Sequence, residues 1–150
     1  MIYLLDSDAV AALITPERES HKYIMNHISV LHKSDSFCLS ILTIYEFEYS
    51  IYSYTDEYKK EEAIKSLETL KNSFDIVNLG EKDATTYGKL KTGYKRHTGV
   101  QRKALRKHNM DIALASLSIA KGFTLISGDS IYKILQEVEP DFKYENWLKE

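Results

Sequence analysis

The run Ile2-Tyr3-Leu4-Leu5 does most to limit what this chain can fold into. Four apolar residues in a row are stopped at once by Asp6, Ser7 and Asp8. The run is short, and a strand apolar on both faces has to be buried on both, which is the habit of parallel sheets covered by helices. We therefore place it at the centre of a sheet. Further short apolar runs follow at 37–40 (FCLS), 74–79 (FDIVNL) and 123–127 (FTLIS), and the tail FKYENWL adds a short fifth strand.

Helical patterns fill the gaps. A short helix is expected over about 7–14, ending near Pro16, and residues 17–33 carry Ile24, Ile28 and Leu31 at i, i+4, i+7. Residues 43–54 and 56–71 follow; in the second, Ile64, Leu67 and the stem of Lys71 share a face. From 81 to about 97, Ala84, Tyr87, Leu90 and Tyr94 form one stripe that stops near Thr98-Gly99. Residues 110–122 (MDIALASLSIAKG) are apolar nearly all round, which reads as a buried helix with Gly122 as its C-cap. Strands alternating with helices predict an α/β fold, a three-layer α/β/α sandwich with a central parallel sheet of four to five strands. Nothing in the 150 residues marks a linker, so a single domain over 1–150 is expected.

The first apolar run is too short for a signal peptide or a membrane span. Cys38 is the only cysteine, so no internal disulfide can form, in keeping with a reducing, cytoplasmic setting.

Four acids stand where apolar runs give way to turns or helix starts: Asp6, Glu46, Asp111 and Asp129. Each has an ordinary structural explanation. Asp6 suits an N-cap, Thr43-Ile44-Tyr45-Glu46 matches a capping box, Asp111 opens a helix that Asn109 can cap, and Asp129 lies in the turn Ser-Gly-Asp-Ser. Their conjunction says more. In an open α/β sheet, strand ends and helix starts meet in one crevice, where several carboxylates can hold Mg²⁺ or Mn²⁺ for phosphoryl chemistry. Hydroxyl neighbours (Ser7, Ser40, Thr43, Ser127) are suited to support such a site.

The order of LLDSD, SILTIYEFEYSIY, NMDIALASLSIAKGFTLIS and SGDSIY, ending in YENW, resembles a PIN-domain ribonuclease. More narrowly, it is similar to the VapC toxins of type II toxin–antitoxin pairs, over residues 2–147. The resemblance implies metal ligation and catalysis by Asp6, Glu46, Asp111 and Asp129, with supporting hydroxyls at Ser127 and Ser7. Asp8 stands where the family often has Asn, so a fifth carboxylate is available. The turn at Asp129 varies within the family. The implied activity is Mg²⁺- or Mn²⁺-dependent endonucleolytic cleavage of RNA, leaving a 5′-phosphate and a 3′-hydroxyl. The implied partners are an RNA substrate, a cognate antitoxin and a second copy of the chain.

Charge distribution adds to this. No acid lies between Asp83 and Asp111, a window holding Lys89, Lys91, Lys95, Arg96, Arg102, Lys103, Arg106 and Lys107. Such a cluster suits an RNA backbone, and equally a solvated helix face; charge alone does not separate the two. The helix over 43–54 has two apolar stripes, Phe47/Ile51/Tyr54 and Tyr45/Tyr49/Tyr52. One can fill the core and the other can meet a second copy or an antitoxin, unless the helix is wholly buried.

Two other readings compete. Asp6-Ser7-Asp8-Ala9-Val10 also matches the opening motif of haloacid-dehalogenase-like phosphatases, with Asp6 as nucleophile, although that reading gives Glu46 and Asp111 no role. A non-catalytic module binding RNA or an antitoxin is the third. The histidines (His21, His27, His32, His97, His108) lack zinc spacing and read as surface residues.

Overall fold

The computed structural model describes residues 1–150. Its first strand, β1 (Ile2–Leu5), does lie at the centre of the sheet. The others are β2 (Ser36–Ser40), β3 (Asp75–Val77), β4 (Thr124–Ile126) and β5 (Lys143–Glu145), all parallel, in the spatial order β3-β2-β1-β4-β5. Register pairs Leu5 with Leu39 on one side and with Ile126 on the other. The three central strands thus end side by side.

The period of two along β1 divides the core. Tyr3 and Leu5 face one layer with Leu39 and Ile126, packed under α1 (Ser7–Ile14), α2 (Glu19–Ser29), α3 (Ile41–Tyr52) and α4 (Glu57–Ser73). Leu4 faces the other with Cys38 and Leu125, under α5 (Glu81–Thr98), α6 (Arg102–Arg106), α7 (Asn109–Lys121) and α8 (Ile131–Val138). This is the expected three-layer sandwich. Helix α7 is buried nearly all round and ends at Gly122, whose φ of 69° is the left-handed conformation a C-cap needs.

Several local expectations are corrected. The α2 helix is shorter than 17–33, because the chain turns through 15–18 before it and again after Ser29. Helix α3 starts directly from β2 at Ile41, with the Ser40 hydroxyl accepting from the Leu42 N–H at 3.1 Å. The capping box at Thr43 therefore does not form, since Thr43 already lies inside the first turn. Helices α6 and α8 were not anticipated. The first is five residues with one buried anchor, Leu105. The second hides its apolar face in the short cluster Ile131, Tyr132 and Leu135.

Candidate metal centre

The chain leaves β1 toward β2 beneath one helical layer and reaches β4 beneath the other, so the winding reverses between β1 and β4. A crevice outside the carboxyl ends of the strands at such a reversal is where open α/β sheets bind ligands. Asp6 follows β1 and Ser127 follows β4, and the Asp6 N–H donates to the Ile126 carbonyl at 3.0 Å across that reversal.

Asp6 is 8% exposed, and its carboxylate receives four donors, the weakest being the Ser7 hydroxyl at 3.5 Å from Oδ1. The Ser7 N–H donates to Oδ1 at 2.7 Å, the Ser127 hydroxyl to Oδ2 at 3.0 Å, and the Tyr132 hydroxyl to Oδ2 at 3.3 Å. Tyr132 also lies 3.5 Å from Asp111 Oδ1; it has one proton and two carboxylates to serve. Asp6, Glu46 and Asp111 converge with Thr43 and Tyr132 on one cavity of about 10 Å³. That is the space of about one water-sized sphere. Thr43 is 1% exposed, and its Oγ1 is the one buried side-chain polar atom in the chain without a hydrogen-bond partner.

Electrostatics agree with the geometry. Burial, with Asp8 next, pushes the Asp6 carboxyl up to about 7. Burial also raises Asp8, Glu46 and Asp111, and each is raised further by a neighbouring acid, while His108 beside Asp111 works the other way. The Tyr132 hydroxyl is pushed well above the usual phenol range by burial and then by Asp6.

The remaining predicted residues fall around this centre. Ser7 sits between Asp6 and Glu46, lowering both. Asp8 is tied to the β4 end: its Oδ2 accepts from the Gly128 N–H at 2.7 Å, and Ser127 Oγ lies 3.3 Å from its Oδ1. A Cβ on Gly128 would come within 2.9 Å of Asp8 Oδ2 and 3.0 Å of Leu148 Cδ1, so a side chain here would push Asp8 or Leu148 from its place. Asp129 is exposed and does not line the cavity; its Oδ1 accepts from the Ile131 N–H at 3.0 Å as α8 begins. As they stand, no three His, Cys, Asp or Glu side chains are close enough to hold a metal ion together. The donor set fits a hard divalent cation all the same: it is all oxygen, it surrounds an ion-sized cavity, and it includes a buried hydroxyl lacking a partner.

Sequence reasoning named Thr43 as a supporting hydroxyl but missed two residues here, His108 and Tyr132. Thr43 and His108 each sit three positions before an acid on a helix, on the same face as that acid, and Tyr132 sits three after Asp129. His108, expected at the surface, is half-buried: its Nδ1 lies 3.3 Å from Asp111 Oδ2 and its ring meets Tyr94 edge-on.

Comparison with known proteins decides the family. The PIN domain family model matches residues 3–138. The chain belongs to the PIN domain family. PIN domains are nucleases, so the phosphatase reading of Asp6 falls away. No curated protein sequence matches the chain. Among solved structures, VapBC2 from Rickettsia felis bound to a DNA fragment from its promoter gives a TM-score of 0.75 at 24% identity, covering 98% of this PIN domain chain and 99% of that one. VapBC-1 from nontypeable Haemophilus influenzae gives 0.74 at 20% identity, covering 99% and 100%. VapBC-5 from Mycobacterium tuberculosis, a member of the VapBC family of toxin–antitoxin systems, gives 0.65 at 11% identity, covering 97% and 96%. These likenesses establish the shared fold.

Proposed function

We propose that this PIN domain is a metal-dependent endoribonuclease and the toxin of a toxin–antitoxin pair. The observation that carries the proposal is the ion-sized, oxygen-lined cavity of Asp6, Thr43, Glu46 and Asp111 at the winding reversal. Asp6, Glu46 and Asp111 would hold Mg²⁺ or Mn²⁺, with Asp129 and Asp8 as further acids at its edge. When bound, the ion would neutralise charge and lower the pKa of a water, easing the proton loss that makes it a nucleophile toward phosphorus in line with the leaving 3′ oxygen. The protein's own part is positioning. Ser127 and Tyr132 hold Asp6 in place, His108 orients Asp111, and the surrounding apolar side chains Leu42 and Leu114 keep bulk water from the carboxylates. Lys and Arg side chains of the window 89–107 hold the RNA backbone.

The toxin part rests on the fold shared with VapBC proteins and on an apolar surface without a partner in the chain. Tyr45, Tyr49 and Tyr52 are 62%, 79% and 70% exposed, so α3 is not wholly buried. The other stripe, Phe47 and Ile51 of α3 with Tyr54 just beyond its end, lines a groove of about 360 Å³ against α4. An antitoxin and a second copy of the chain would cover such surfaces, in a cytoplasmic complex.

The test is incubation of the pure protein with total RNA and Mg²⁺ or Mn²⁺, followed by mapping of the new ends. Cleavage with 5′-phosphate ends that is lost in Asp6→Asn and Asp111→Asn supports the reading. Equal cleavage by all three proteins overturns it.

A further inference from the structure

The eight cations of the window 89–107 do not form a uniform face. Four of them, Lys91, Lys95, Arg102 and Arg106, line one cavity of about 440 Å³ together with Leu105 and Asn109. Lys89, Arg96, Lys103 and Lys107 lie outside it. The four arrive as two pairs at i, i+4 spacing, Lys91 with Lys95 on α5 and Arg102 with Arg106 on α6, so each helix turns two like charges toward the same space. No acid lines that space, and Lys95, Arg102 and Arg106 are in no ion pair. Lys91 is held by neutral groups, donating to Asn109 Oδ1 at 2.7 Å and to the Tyr87 hydroxyl at 3.0 Å. Leu105 is buried and pins α6 against the core, which fixes the arginines relative to α5. Four converging cations without a counter-charge repel one another, and an anion seated among them removes that repulsion.

The cavity is also coupled to the acids. Asn109, which holds Lys91, opens the same helical turn as Asp111, about 3 Å further along the helix axis. His108, the residue before Asn109, contacts Asp111.

Resting on the nuclease reading above, we propose that this cavity seats one backbone phosphate of the RNA strand, at a fixed number of nucleotides from the linkage brought to the acids. The two arginines present flat, bidentate donors to that phosphate, and the two lysines add point charges. The substrate is then gripped at two phosphates held apart by the first turn of α7. A linkage without a neighbour at that spacing binds more weakly, whatever its bases. The free surface cations beyond the cavity add only the diffuse attraction that any polyanion feels.

The experiment is a neutral-linkage scan read as a double-mutant cycle. Single-stranded RNA oligonucleotides carrying one methylphosphonate each, moved along the strand, are bound to Asp6→Asn protein, which cannot cleave, and to Asp6→Asn carrying Arg102→Gln and Arg106→Gln. We expect one position to weaken binding about tenfold in the first protein and to have no further effect in the second. The salt slope of binding should fall by about 0.7 when both arginines are removed, the share of one phosphate contact on a single strand. A Lys89→Gln/Lys103→Gln control, outside the cavity, should keep the position-specific effect. Equal effects at every linkage, or the same profile in all proteins, would overturn the proposal. Cleavage is not needed for this readout, so failure of the nuclease reading appears separately, in the end-mapping assay.

Discussion

The acid cavity and the basic cavity meet at the first turn of α7, yet they solve opposite problems. Asp6, Glu46 and Asp111 are same-sign charges in a space hardly larger than one water, and burial is the largest influence on each. Lys91, Lys95, Arg102 and Arg106 are same-sign charges around an open space of about 440 Å³, where water still screens them. Crowding buried charges is costly and costs little at the surface, so the first cavity demands protons or a small cation and the second can wait for a polyanion. The folded acids are accordingly shifted upward.

Removing an acid should separate the two cavities most sharply. Asp111→Asn should lower metal-dependent RNA cleavage by at least about 10²-fold, the scale of losing one electrostatic group from a reacting centre. RNA affinity measured without metal should hold or improve, because the basic cavity is intact and a nearby negative charge is gone. Turnover assays beside binding titrations check this. A parallel loss of both would mean that the cavities do not divide chemistry from binding.

The next largest effect is on the metal-free protein. Asp6 has a folded pKa of about 7, above the roughly 3.9 of an unfolded Asp, so between those values the folded state binds more protons than the unfolded one. Its contribution is therefore fully present below about pH 4 and is lost as pH rises through 7. In EDTA, raising the pH from 5 to 8 should lower stability by about 2 kcal/mol or more, and Asp6→Asn should flatten that slope. Mn²⁺ at saturating concentration should restore stability at pH 8. Urea melts at several pH values measure all three. A metal-free protein more stable at pH 8 than at pH 5 would break the argument.

Between the cavities and the frame lies Gly128, whose approach to Asp8 ties the ends of β1 and β4 together. Gly128→Ala should cost about 1–3 kcal/mol, as overpacking does, because its Cβ meets a carboxylate oxygen and Leu148 rather than open space. Chemical denaturation of the variant reads the cost, and an unchanged midpoint would show that Asp8 moves aside freely. Since the clash is local to the acid end, RNA binding should be spared.

How much of this could be read from the chain depends on which interactions carry it. Strand β1 and helix α7 were legible because burial on all sides leaves no polar alternation to misread, and the central place of β1 followed from its composition alone. The acid positions were legible because polar residues at strand ends break an apolar run. Helix α8 was not, because its buried face amounts to Ile131, Tyr132 and Leu135 behind a turn sequence, too few residues to set a period. For the same reason Tyr132 escaped notice as the hydroxyl between Asp6 and Asp111. The basic window was visible as charge. Its division into four cations inside a cavity and four outside came only with the seating of α6 in the core by its single buried anchor, Leu105, which is a tertiary fact.

Thr43 offers the smallest effect and the finest distinction. Its sequence position argued for a helix cap, but Ser40 takes that role and leaves Thr43 Oγ1 buried without a partner. A buried hydroxyl without a partner costs on the order of 1 kcal/mol relative to an apolar group of similar shape. Thr43→Val should therefore stabilise the metal-free protein by about that amount, some 2–4 °C in Tm. If the hydroxyl belongs to the donor set around a bound ion, the same variant should gain less from Mn²⁺ than the parent protein does, so that the two curves converge or cross as metal is added. Thermal melts across a Mn²⁺ titration check both halves. Stabilisation without any change in the metal response would leave Thr43 a packing defect, and would confine the ion to Asp6, Glu46 and Asp111.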